Sequence, residues 1–167
     1  MALFEQFLSE GIIKRLSETE RQDYIRFFEH TYTDNIKAAK DNLETHPRWA
    51  IISGYYAMHD IAKLFLARRF SLKIGEKRVH LAAITALQAV LKEENTKARL
   101  LELLEKAENV FSVNISRYLA KGRKEREKVQ YYNFKTDFNK IRDNAYLFLK
   151  EIVEPFIKIL EVLMKND

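Results

Sequence analysis

The side chains best suited to chemistry are cations and tyrosines, gathered at two places, and a few histidines. Arg123, Arg126 and Lys128 stand together and are followed by Tyr131 and Tyr132. Arginine grips phosphate oxygens through paired N–H donors, and an aromatic ring offers a base a stacking surface. The alternative is a charged loop whose tyrosines pack on the protein. Lys121 and Lys124 extend the same charge. A second group, Arg68, Arg69, Lys73, Lys77 and Arg78, reads as another anion patch, or as cations that offset the C-terminal dipole of a preceding helix. His80 follows this group directly. An imidazole there can contact a ligand or move a proton near neutral pH. His59, beside Asp60 in an apolar stretch, reads instead as a hydrogen-bonded core histidine.

Several chemistries lack their residues. With no cysteine, thiolate nucleophiles, disulfides and thiolate metal sites are excluded. A di-iron bundle requires Glu-x-x-His pairs, and no Glu stands three residues before any of the four histidines. His30, His46, His59 and His80 also lack the paired spacing of a zinc motif. There is no Gly-Lys-Ser/Thr phosphate loop, no dinucleotide-binding glycine pattern and no serine in a nucleophile elbow. The expectation is therefore no metal and no cofactor.

The net charge of +5 over 167 residues is unevenly placed. Lys63–Arg78 carries +5 and Lys121–Lys128 carries +3, so the remainder is acidic. Concentrated charge of this kind suits contact with an anion or nucleic acid better than a uniform surface would. Four glycines and two prolines are few for a chain of this length and favour long helices. The first residues lack a signal-peptide pattern, and no apolar run reaches membrane-spanning length. A cytoplasmic protein, compatible with a reducing compartment, is expected.

The elements that must position these groups follow from periodicity. Leu3, Phe4, Phe7 and Leu8 form a short amphipathic start, able to dock on the rest of the chain or on a partner. Ser17 and Glu20 have capping-box spacing. Ile25, Phe28, Tyr32, Ile36, Ala39 and Leu43 then mark one face of a helix that closes at His46–Pro47. The next helix, from about Arg48 to Phe70, is apolar nearly all round and should be central. Ala50, Gly54 and Ala57 give it a strip where a neighbour can approach closely, and Trp49 is expected to anchor the core. Ser71–Lys77 reads as a loop around Gly75, and His80, Ile84, Leu87 and Leu91 as a shorter helix. Glu93–Glu94 reads as a solvated turn, with Asn95 or Thr96 capping a fourth helix through Leu100, Leu104, Ala107, Phe111 and Tyr118. Gly122 and the charges after it mark a break. A last helix follows, from Phe134 to Leu163, with Pro155 expected to kink or split it. No stretch alternates long enough for a sheet. The expectation is an all-α antiparallel bundle of about five helices in one domain, 1–167, with 1–16 as an extension and 17–165 as the bundle.

The stretch Arg48-Trp-Ala-Ile-Ile-Ser-Gly-Tyr-Tyr-Ala-Met-His-Asp-Ile-Ala-Lys-Leu-Phe-Leu-Ala-Arg68 resembles the second helix of HEPN domains. Ser53, Tyr55, Tyr56, Ala57, Ala62 and Leu66 carry the resemblance. The Gly75 loop before His80, and the segment with Arg126 and Tyr131–Tyr132, extend it over roughly residues 22–165. The resemblance implies a homodimer, often paired with a small nucleotidyltransferase-like protein in a toxin–antitoxin type of system. It also implies a ribonuclease motif, Arg-x4-6-His, near the start of the last long helix. Here Arg126 is followed by Tyr131 where that histidine would stand, and no histidine occurs after His80. Tyrosine, with a pKa near ~10, is a poor base at neutral pH.

The reading is a HEPN-like module that binds a nucleotide or RNA phosphate without the usual ribonuclease site. Arg123, Arg126, Lys128, Tyr131, Tyr132, Arg69 and Lys73 are the candidate contacts. The alternative is an active metal-independent ribonuclease using Arg126 with Tyr131 or His80. A third reading is a structural helical adaptor without nucleic-acid affinity.

Overall fold

A computed structural model describes the backbone of residues 2–125 and 134–165, with side chains for 2–114 and 138–165. The protein is an all-α bundle. Helix α1 (Ala2–Ser9) leads into strand β1 (Ile13–Arg15) and helix α2 (Glu18–Asp41). Helix α3 (Pro47–Phe70), strand β2 (Leu72–Ile74), helix α4 (Val79–Val90) and helix α5 (Glu94–Glu125) follow. The chain ends in a continuous rod: α6 (Phe134–Phe148), one π-helical turn (Leu149–Val153) and α7 (Glu154–Lys165). Helices α2, α3, α4, α5 and this rod are the five expected from periodicity.

Local chemistry sets the ends. Ser17 accepts from the Glu20 amide while the Glu20 carboxylate accepts from the Ser17 amide, the reciprocal cap expected for α2. Pro47 occupies the first turn of α3, where its missing N–H costs nothing. Glu93 begins α5: its carboxylate accepts from the amides of Asn95 at 2.9 Å and Thr96 at 2.5 Å. The cap thus falls on Glu93, two residues before the first cap expected, because a carboxylate opposes the helix's positive end. Gly122 does not break α5, whose backbone continues to Glu125.

Helix α3 is central, packed against α2, α4, α5, α6 and α7. It has buried residues on every side, among them Ile51, Tyr55, Met58, Ile61, Leu64 and Leu66. Trp49 departs from expectation and is 59% exposed. At that level of the helix Pro47, Ala50 and Ile51 take the inward positions, so the indole faces solvent. Phe7 of α1 is buried in the main core, which places the N-terminal stripe on its own bundle.

Gly54 earns its place against the last rod. A β-carbon on it would meet Leu149 Cδ2 at 2.8 Å and Phe148 and Val153 at 3.2 Å. The rod approaches there through its π turn, which ends two residues before Pro155. Proline lacks an amide and its ring crowds the carbonyl four residues back. The wider turn, closed by the Glu154 amide on the Leu149 carbonyl, absorbs that conflict without a break.

The segment read as a loop pairs instead as a short antiparallel ribbon, with Ile13 opposite Ile74, Lys14 opposite Lys73 and Arg15 opposite Leu72. Its strands of three residues are too short to show alternation. Ser71 and Arg78, both non-glycine with positive φ, bracket β2 and the turn after it. No helix among the described residues is long and apolar enough to cross a membrane.

Candidate functional site

The predicted contacts fall into three groups. Arg126, Lys128, Tyr131 and Tyr132 lie outside the described residues, and Arg123 lies on the last turns of α5 with its side chain likewise outside them. The Lys63–Arg78 charges divide. Lys63 pairs with Asp60 of its own helix at 3.6 Å and lies over the Phe28 ring of α2, and Arg68 pairs with Glu29 of α2, so both serve the packing of α2 on α3. Arg69 is exposed in the last turn of α3. Lys73, half-buried, and Lys77 and Arg78, both exposed, belong to the ribbon and the turn that follows it. The ribbon adds Lys14 and Arg15 to them. These two cations stand almost sixty residues away in the chain, and charge counting along the sequence could not attach them.

His80 is the third case, and here the fold builds more than the sequence suggested. It is the second residue of α4 and is exposed. Tyr55 and His59, one turn apart, share a face of α3. Glu108 and Phe111 share a face of α5. The three helices bring these side chains together. His80 Nδ1 lies 2.9 Å from His59 Nε2 and 3.0 Å from the Tyr55 hydroxyl. The Tyr55 hydroxyl donates to Glu108. Phe111 stacks on the Tyr55 ring at 4.1 Å, and the two imidazoles meet edge to face at 4.3 Å.

The site has a dry wall and a wet wall. His59 is 3% exposed, and burial, with His80 and Lys63 adding to it, lowers its pKa to about 3. It is therefore neutral at physiological pH. Burial, the hydrogen bond to Glu108 and that carboxylate's charge all raise the Tyr55 pKa, so the phenol keeps its proton and remains a donor. His80 and Glu108 face solvent. No hydrogen bond engages His80 Nε2 among the described residues. The arrangement fixes one imidazole from behind and presents it at the surface.

The sequence marked His80 as a candidate contact and Tyr55 only as part of the family resemblance; it presented His59 as a core histidine and gave no sign of Glu108. The available signal was Tyr55 and His59 at i and i+4, two hydrogen-bonding groups on one face of a largely apolar helix. Nothing in the sequence pointed to Glu108. A scan against protein-family models and searches of curated proteins and of solved structures return no match.

Proposed function

We propose that the chain is a HEPN-like module that binds the phosphate of a nucleotide or RNA, acting as a homodimer alongside a nucleotidyltransferase-like partner. The observation that carries this reading is the β1–β2 pairing, which gathers Lys14, Arg15, Lys73, Lys77 and Arg78 on one short stretch of structure. Lys14, Arg15, Lys77 and Arg78 make no ion pair among the described residues; Glu20, held in its cap, lies near Lys14 and Lys73. Left-handed backbone at Arg78, a non-glycine residue directly before α4, costs about 1–2 kcal/mol and is retained where surrounding structure enforces it. Arg123, Arg126 and Lys128, with Tyr131 and Tyr132, extend the same basic character along the chain.

The test is nucleotide and RNA binding at two salt concentrations, with Lys14→Glu/Lys73→Glu and Arg126→Ala in parallel. Phosphate contact predicts affinity that falls steeply with salt, and a shallower slope in the charge-reversed protein. Unchanged affinity in both variants would remove the reading and leave a structural adaptor.

His80 favours a second reading, ribonuclease activity. Its ring is fixed from behind by Tyr55 and His59 while Nε2 has no hydrogen-bond partner among the described residues, a suitable disposition for proton transfer. Cleavage abolished by His80→Gln with RNA binding intact would establish it; RNA left whole across a broad pH range would end it.

A further inference from the structure

The Tyr55–His59–His80–Glu108 cluster does not close with protons alone. Tyr55 has one hydroxyl proton, and it is donated to Glu108. Toward His80 the phenol can then only accept. If His80 carries its proton on Nδ1, that proton is shared between the phenol and His59 Nε2, and His59 must hold its own proton on Nδ1. That nitrogen is buried with no hydrogen-bond partner among the described residues. If His59 instead donates from Nε2, the His80 Nδ1 lone pair faces the phenol lone pair at 3.0 Å. Each arrangement leaves a defect of the kind that costs about 1–3 kcal/mol when buried.

The acceptors converge as ligands do. Two nitrogens bound to one ion at about 2.0–2.1 Å, at angles between octahedral and tetrahedral, stand about 2.8–3.4 Å apart. His59 Nε2 and His80 Nδ1 are 2.9 Å apart, and one ligand atom from each of His59, His80 and Glu108 lies within 4.8 Å of the others. Glu108 is exposed and has the rotamer freedom to close the remaining distance.

We propose that His59, His80 and Glu108 bind a divalent transition ion of the zinc class, with Tyr55 orienting the Glu108 carboxylate. Two imidazoles and one carboxylate form a set that zinc accepts with a fourth position open to water or an anionic oxygen. Tyr55 keeps its proton and so serves as a hydrogen-bond donor to a ligand rather than as a ligand. The geometry overrides the spacing argument made from the sequence: the two histidines are twenty-one residues apart and meet only because α4 packs beside α3.

The experiment uses untagged protein, stripped with chelator, exposed to Zn²⁺ and passed through gel filtration before elemental analysis. One ion per chain is expected in the wild type and in the control His30→Ala, whose histidine lies on the surface of α2. His80→Ala and Glu108→Gln should lose the ion, and Tyr55→Phe should weaken binding about tenfold. Co²⁺ in place of zinc should give the visible bands of a low-symmetry nitrogen and oxygen site in the wild type alone. Less than one ion in the wild type, or equal content in all variants, overturns the assignment. Should His80→Ala fail to fold, Glu108→Gln carries the test, because that carboxylate faces solvent. Metal content is read without nucleic acid, so it fails or succeeds independently of the phosphate-binding proposal.

Discussion

His59 and Asp60 are neighbours on the same helix, both buried, both polar, and they belong to opposite kinds of site. Asp60 faces α2, where the Asn35 amide donates to it at 3.0 Å, and Lys63, one turn on along α3, pairs with it at 3.6 Å. Burial raises its pKa and Lys63 opposes that rise. The group is closed: cation, anion and amide are shielded together between two helices. His59 faces α4 and α5, and its network runs outward through His80 and Glu108 to solvent. One turn of helix therefore carries a structural ion pair and, about 100° round, a cluster that reaches the surface with acceptors left over. A buried polar residue indicates function only when its network opens outward and does not balance.

That contrast can be attacked directly. Asp60→Ala strands Lys63 in a dry interface and should cost about 3 kcal/mol by urea denaturation; a loss under about 1 kcal/mol would mean that the pair is not closed. Gly54→Ala tests a third direction of the same helix, where packing alone is at stake. Its methyl meets Leu149 at 2.8 Å, and a loss of about 2 kcal/mol is expected from overpacking. Tyr55→Phe keeps the stacked ring and removes only the hydroxyl, so about 1 kcal/mol should be lost. A larger loss would show that the outward network is a structural device like its neighbour.

The smallest effect is that of pH on chelator-treated protein. His59 binds a proton in the unfolded chain below about pH 6.5 and in the folded chain only near about 3. The unfolded state therefore binds more protons across that window, and stability falls as pH falls through it. Between about pH 8 and about pH 6 the loss attributable to His59 should stay under about 1 kcal/mol and grow at lower pH. His59→Phe should flatten this part of the profile; an unchanged profile would place the acid sensitivity elsewhere.

Much of the fold was legible because helices write their period into the sequence. The Ser17–Glu20 cap, the all-round apolar α3 and the close approach at Gly54 were all visible as spacing. What escaped depends on partners far along the chain. The β1–β2 ribbon has no local signal, since three-residue strands show no alternation and their register is set by docking. Trp49 was misjudged because residue type alone does not say which face of the first turn meets the core. The histidine cluster joins residues 55, 59, 80 and 108, and no spacing rule spans three helices. The basic segment around Arg126 remains as the sequence presents it, outside the described residues.

The π turn at Leu149–Val153 has a further consequence for how the chain can vary. A π turn holds one residue more than an α turn, so everything after it is out of phase with everything before it by about 100°. Phe156, Ile157 and Leu160 are buried in that shifted phase. Deleting a single residue such as exposed Lys150 would let an ordinary helix run through and swing those three side chains out of the core. The C-terminal half of the rod is thus keyed to a count of residues, and a deletion there should harm folding more than most substitutions at the same positions.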